Sequence, residues 1–184
     1  ENINTGVRQC DAVAEIQKSL IGGTPEFGGD YAGIVPMLPT GKGTSASHLT
    51  WTEEKFIKGE ATIVELAGVY KKYHCPMART IMLGEPDQKK IDTMKATNEA
   101  LDAGISEIKP GKTCDEVAQK FWKVLDKYQI KKSSRTGYSI GIGYPPDWGE
   151  HTLNIQKGDK TILQPNVTFH MIAVMQFGNW GVES

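Results

Sequence analysis

Apolar positions recur at helical spacing over Val7–Leu20, where Val13, Ile16 and Leu20 share a face, and Gly22-Gly23 close the run. Residues 33–51, GIVPMLPTGKGTSASHLTW, alternate short apolar runs with Gly, Pro and Ser, as strands and turns do. TIVEL, VYKKYH and ARTIML then read as three successive strands of a meander. A helix is predicted over Asp87–Ile105, with Ile91, Met94, Leu101 and Ile105 on one stripe, ending before Pro110-Gly111. Thr113-Cys114-Asp115-Glu116 is a capping box that opens a third helix burying Val117, Phe121, Val124 and Leu125. Gly-rich strand material follows in RTGYSIGIGYPPDWGE, then a closing pair of strands around TILQP and VTFHMIAVM. The order helix, strands, two helices, strands predicts an α+β domain with helices on one face of an antiparallel sheet.

One residue breaks the pattern. Glu65 lies among Ile63, Val64, Leu66 and Ala67, inside a run that reads as a buried strand. An unpaired carboxylate there costs several kcal/mol, so the group is either well hydrogen-bonded or protonated. Two readings stay open: Glu65 works in a site, or it pairs with an Arg or a backbone N–H and holds the sheet together.

The 184 residues suffice for one domain with a substantial core. Twenty-one basic and 22 acidic side chains leave a net charge of −1, which argues against a nucleic-acid or anionic-membrane binder. No apolar stretch approaches the ~20 residues of a membrane span, and no signal peptide opens the chain. Three scattered cysteines, Cys10, Cys75 and Cys114, suggest reduced thiols and a cytoplasmic setting. Asn166-Val167-Thr168 matches a glycosylation sequon with nothing else to suggest secretion.

The short motifs are weak. GKGTS at 41–45 lacks the spacing of a phosphate loop, and Gly141-Ile142-Gly143 is two glycines in a turn. None of His48, His74, His151 and His170 forms a short-range metal pair. His48 ends the Gly/Ser-rich GTSASH, and His170 sits among Phe169, Met171 and Ile172, where it must hydrogen-bond something if buried. GIGYPPDWGE offers Tyr144 and Trp148 as apolar walls with polar handles; it reads equally as a surface loop held by its prolines. Tyr70–Tyr73 reads as the solvated edge of a hairpin.

The run from Glu65 to Thr80, ELAGVYKKYHCPMART, resembles the D-x-G-x-x-Y-x-x-Y-x-x-D-x-x-R-T pattern of the pita-bread peptidase family M24, with Tyr70, Tyr73, Arg79 and Thr80 matching. The resemblance covers nearly the whole chain. It implies a pita-bread fold, a curved antiparallel sheet covered by helices on one face. It also implies that residues 1–184 are a C-terminal catalytic domain cut at both ends, without its N-terminal domain and final strands. Peptidases of the family hold two metal ions through two Asp, one His and two Glu. The corresponding positions here are Glu65, Pro76, Tyr138 and Ile172, with the last acid at or beyond the end of the chain. At least three of five ligands are gone, so a dinuclear site is not expected.

VELAGVYKKYHCPMARTIMLG, SRTGYSIGIGYPPDWGE and LQPNVTFHM are most similar to the metal-free ectoine hydrolase and creatinase branch of the family. That similarity implies hydrolysis of a non-peptide C–N bond in a small zwitterion, with no metal and no cofactor. Glu65 and His48 are the implied catalytic pair: Glu65 as nucleophile or base, His48 as the proton donor to the departing nitrogen. Tyr138, Tyr144, Trp148 and His170 are implied pocket lining, and Arg79 is the candidate donor to a substrate carboxylate. A homodimer is expected of the full-length protein. An Xaa-Pro metallopeptidase using His48, His74, Glu65 and His170, creatinase activity, and a non-catalytic binding domain remain the alternatives.

Overall fold

A computed structural model describes residues 2–184. Helix α1 (Gln9–Gly22) leads into an extended segment and a short 3-10 turn (Gly41–Ser45). Strands β1 (Ala61–Tyr70) and β2 (Tyr73–Met82) form a hairpin, followed by helices α2 (Gln88–Glu107) and α3 (Cys114–Lys127). Strands β3 (Gly137–Tyr144), β4 (Asp147–Ile155), β5 (Phe169–Met171), β6 (Val174–Phe177) and β7 (Trp180–Glu183) complete the chain. The main sheet runs β1-β2-β3-β4, with β5 also pairing β3; all pairings are antiparallel, and β6–β7 form a separate hairpin.

The α+β architecture matches the expected order, with four local corrections. TIVEL, VYKKYH and ARTIML are two long strands, not three, because VYKKYH contains the turn: Lys71 and Lys72 take φ of 48° and 68°, the left-handed pair that a tight hairpin demands. Residues 33–51 form no strand of their own; Met37 and Thr40 bridge to Glu65 and Thr62, so this segment is laid along the edge of β1. TILQP contributes only a single bridge, Ile162 to Thr113. Along α2 the buried positions are Thr93, Ala96, Thr97, Ala100, Leu101 and Gly104, whereas Ile91 and Ile105 are exposed. Close helix packing selects the small residues: a Cβ on Gly104 would already touch Phe121 of α3 at 3.5 Å.

Helix α3 follows its sequence. Thr113 accepts from the Glu116 backbone N–H, and the Glu116 carboxylate accepts from the Thr113 N–H. Val117, Phe121 and Leu125 are buried, with Val124 at the margin of the same core. That core joins α2 and α3 to Leu153, Ile155, Met175 and Val182 of the strands.

Strand β1 sorts its residues by the two-residue period of a strand. Ile63, Glu65, Ala67 and Val69 share a buried face, while Val64, on the opposite face, packs with Ala12 and Val13 of α1. Helix α1 thus covers one face of β1, and Glu65 is left facing the other way.

Candidate active site

Glu65 is fixed at the backbone by two hydrogen bonds with Met37, N–H to carbonyl in both directions, which sets the direction of its side chain. Only 7% of the residue is exposed, and its carboxyl group opens into a cavity of about 480 Å³. That volume suits a small molecule. Among the described residues no hydrogen bond reaches the carboxylate; burial, then the neighbouring Glu183, push its pKa up to about 8. Glu183 of β7 is equally buried and lines the same cavity; burial raises it to about 7, while the Lys132 ammonium pulls the other way. Two carboxyl groups facing one space cannot both ionise cheaply, so the unliganded cavity retains protons near neutral pH.

His48 lies at the mouth of this cavity, just after the 3-10 turn. It is exposed, and its φ of 61° is in the left-handed region that few side chains adopt. Backbone strain of this kind tends to gather where a side chain must be aimed. His48 and Glu65 therefore reach one cavity from segments 17 residues apart.

The floor is a hydrogen-bonded aromatic chain. Trp148 donates from Nε1 to the Tyr138 hydroxyl at 2.8 Å, and Tyr138 stands 2.9 Å from His170 Nδ1. Indole nitrogen is only a donor, so the phenol accepts from Trp148 and spends its own proton on His170. His170 is thereby fixed as an acceptor at Nδ1, and burial, then the Arg135 charge, lower its pKa to about 4, keeping it neutral. Burial pushes the Tyr138 phenol up to about 12. Tyr138 and Trp148 line the cavity; His170 supports Tyr138 from behind.

Three residues expected in the pocket do not line it: His170, which stands behind Tyr138, and Arg79 and Tyr144, which lie elsewhere. Arg79 pairs across the hairpin with Val64, one step out of phase with the Glu65–Ala78 pair, so it projects from the opposite face. It is exposed and donates to the Ala78 carbonyl. Tyr144 stands at the tip of the β3–β4 hairpin, 57% exposed. The register of β3 shifts between Ile140 and Tyr144, which turns the expected inward face outward. Gly143 faces inward instead, where a Cβ would stand only 3.0 Å from the Trp148 Cα and 3.1 Å from the His74 ring.

Glu183 and Arg135 are the cavity residues that sequence reasoning missed. Glu183 is the last acid of the chain, in a terminal WGVES too short to show a periodicity. Arg135 stands in the loop two residues before β3, where no strand alternation separates inward from outward.

The Metallopeptidase family M24 model matches residues 1–183. The chain is a member of metallopeptidase family M24. It is 44% identical to the ectoine hydrolase of Halomonas elongata, over 100% of this chain and 47% of that protein. Among solved structures, a recombinant prolidase from Thermococcus sibiricus superposes with a TM-score of 0.85 at 21% identity, covering 100% of this chain and 48% of the other. The dipeptidase PepE of Mycobacterium ulcerans gives 0.83 at 20% identity, covering 98% and 47%. These likenesses establish the pita-bread fold of M24 peptidases. The chain spans about half the length of the relatives it matches.

The family name implies metal ions, and the donor set here does not suit them. Among the described residues no group of three or more His, Cys, Asp or Glu side chains converges as ligands. The sequence resemblance places Pro76, Tyr138 and Ile172 where it implies three of the ligands. Pro76 faces Ala67 across the hairpin, the Tyr138 hydroxyl is committed to Trp148 and His170, and Ile172 is an apolar core residue. His74 is also engaged, accepting from the Gly33 N–H at Nε2 and facing the Lys72 carbonyl through Nδ1. The set His48, His74, Glu65 and His170 is not assembled.

Among the described residues no helix is long and apolar enough to cross a membrane.

Proposed function

We propose that this domain hydrolyses a C–N bond in a small zwitterion whose cation is a cyclic amidinium, an ectoine-like substrate, without a metal ion. One observation carries the reading: Glu65 is a buried carboxyl group that meets no donor among the described residues and opens onto a cavity shared with His48. A planar cation placed there supplies the missing partner. An amidinium carbon between two nitrogens is already electrophilic, so no Lewis acid is required to polarise it.

The chemistry follows from the pKa values. Glu65 holds a proton near neutral pH and loses it when the substrate's charge arrives, because an adjacent cation favours the carboxylate. The carboxylate then adds to the amidinium carbon, or takes a proton from a water that adds there. His48 passes a proton to the nitrogen that departs, the ring C–N bond breaks, and one water is consumed overall. The open-chain product carries an amide and an amine. The 44% identity to an ectoine hydrolase supports this substrate class.

The prolidase likeness is at 21% identity and speaks for fold alone. A metallopeptidase reading finds no converging ligand set among the described residues, and a creatinase reading differs only in substrate. For the full-length protein we propose a cytoplasmic homodimer acting in ectoine breakdown; the three cysteines are free, as such a setting favours. The test is to incubate the full-length protein with ectoine, creatine and an Xaa-Pro dipeptide, with and without chelator. Ectoine ring opening that survives chelation supports the proposal. Chelator-sensitive cleavage of the dipeptide, with ectoine untouched, overturns it.

A further inference from the structure

The cavity that holds Glu65 and Glu183 also holds one guanidinium. Arg135 lines it from the loop that leads into β3, with its charged head 4.2 Å above the Tyr138 ring and one terminal nitrogen donating to Asn154 Oδ1. The Asn154 bond and the ring contact fix the plane of the guanidinium, and its remaining N–H groups have no protein acceptor among the described residues. No ion pair joins Arg135 to Glu65, Glu183 or Asp147, although all four line the same space; Asp147 pairs instead with His151. The Tyr138 phenol feels both Glu65 and Arg135, so it lies between the acidic and the basic side. The cavity is therefore a dipole whose ends do not neutralise one another.

We propose that Arg135 is the anchor for a substrate carboxylate, and that it, with Glu65, restricts the site to molecules carrying a carboxylate and a planar cation a few bonds apart. This rests on the proposed function for the cationic end and adds the anionic end. A guanidinium held in one plane presents paired donors matched to the two oxygens of a carboxylate, a match that a lysine ammonium lacks. The aromatic face beneath it keeps one side dry, which strengthens the contact.

The test compares each ligand with its own primary carboxamide. Binding of ectoine, creatine and an Xaa-Pro dipeptide, and of their three carboxamides, is measured by calorimetry on the full-length wild type and on R135M and R135K. Their folding is verified by circular dichroism. The wild type is expected to prefer the acid over the amide by about 10- to 100-fold for whichever scaffold binds, the strength of a charge-assisted contact. R135M should erase that preference while amide affinity stays within about threefold, and R135K should restore only part of it. A preference for the acid that persists in R135M overturns the inference, as does equal binding of acid and amide, or no binding of any acid, in the wild type. Ectoine turnover is followed separately. Turnover with the preference intact in R135M rejects Arg135 and keeps the proposed function. Preference lost in R135M for creatine or the dipeptide, without ectoine turnover, does the reverse.

Discussion

Replacing Glu65 by Gln should make the protein more stable at alkaline pH, an unusual outcome for a residue proposed to be catalytic. In the unfolded chain a glutamate titrates near 4.5, whereas in the folded protein burial and Glu183 hold Glu65 at about 8. Below pH 4.5 both states carry the proton and Glu65 contributes nothing to pH dependence. Between 4.5 and 8 the unfolded state has released its proton and the folded state has not, so stability falls by about 1.4 kcal/mol per pH unit. Above 8 both are ionised and the loss is complete, on the order of 5 kcal/mol for a shift of this size. Gln keeps the shape of the protonated acid and has no such titration. Wild type and E65Q should therefore agree within about 1 kcal/mol at pH 5 and diverge towards pH 9, where the variant melts on the order of 10 °C higher. Glu183 shares the cavity with Glu65 and titrates with it, so the difference between the two proteins reports the loss of that coupling together with the loss of the Glu65 titration. Urea unfolding at half-unit pH steps measures the curve. Parallel curves for the two proteins would mean that Glu65 is solvated or paired, and the reasoning about the cavity would fail.

Two further outcomes follow from the same geometry. Dissociation constants for a permanently cationic ligand should tighten by up to about tenfold per unit as pH rises towards 8, then level off, and E65Q should remove the slope; titration calorimetry in buffers of differing ionisation enthalpy would also register the released proton. Gly143→Ala should cost about 1–3 kcal/mol in urea unfolding, because the new methyl would lie 3.0 Å from the Trp148 Cα and 3.1 Å from the His74 ring, neither of which is a flexible chain end.

Much of this was legible where a single local rule governs. The capping box at Thr113 and Glu116 announced α3, because its partners are three residues apart and need no tertiary context. Glu65 stood out because a carboxylate amid Ile63, Val64, Leu66 and Ala67 violates the burial rule wherever the strand lies. What stayed hidden depends on partners distant in sequence. The inward side of α2 is set by how closely α3 approaches, which favours Ala96, Ala100 and Gly104 over the larger Ile91 and Ile105. The side to which Tyr144 points is set by a register shift against β4, and a shift leaves no mark on the alternation of one strand. Arg79 matched a sequence pattern, yet strand parity relative to Glu65 places it on the far face. Arg135, with no motif around it, faces the cavity.

The central claim is that a carboxyl group without a protein partner does its work on the substrate's own cation. Ring opening of ectoine by full-length wild type and E65Q, followed by mass spectrometry in the presence of chelator, tests it most directly. The account predicts product from the wild type and at least about a thousandfold less from a folded E65Q, the scale of losing a nucleophile or general base. Comparable rates from the two proteins, or a wild-type rate that vanishes with chelator and returns with added divalent metal, would contradict it.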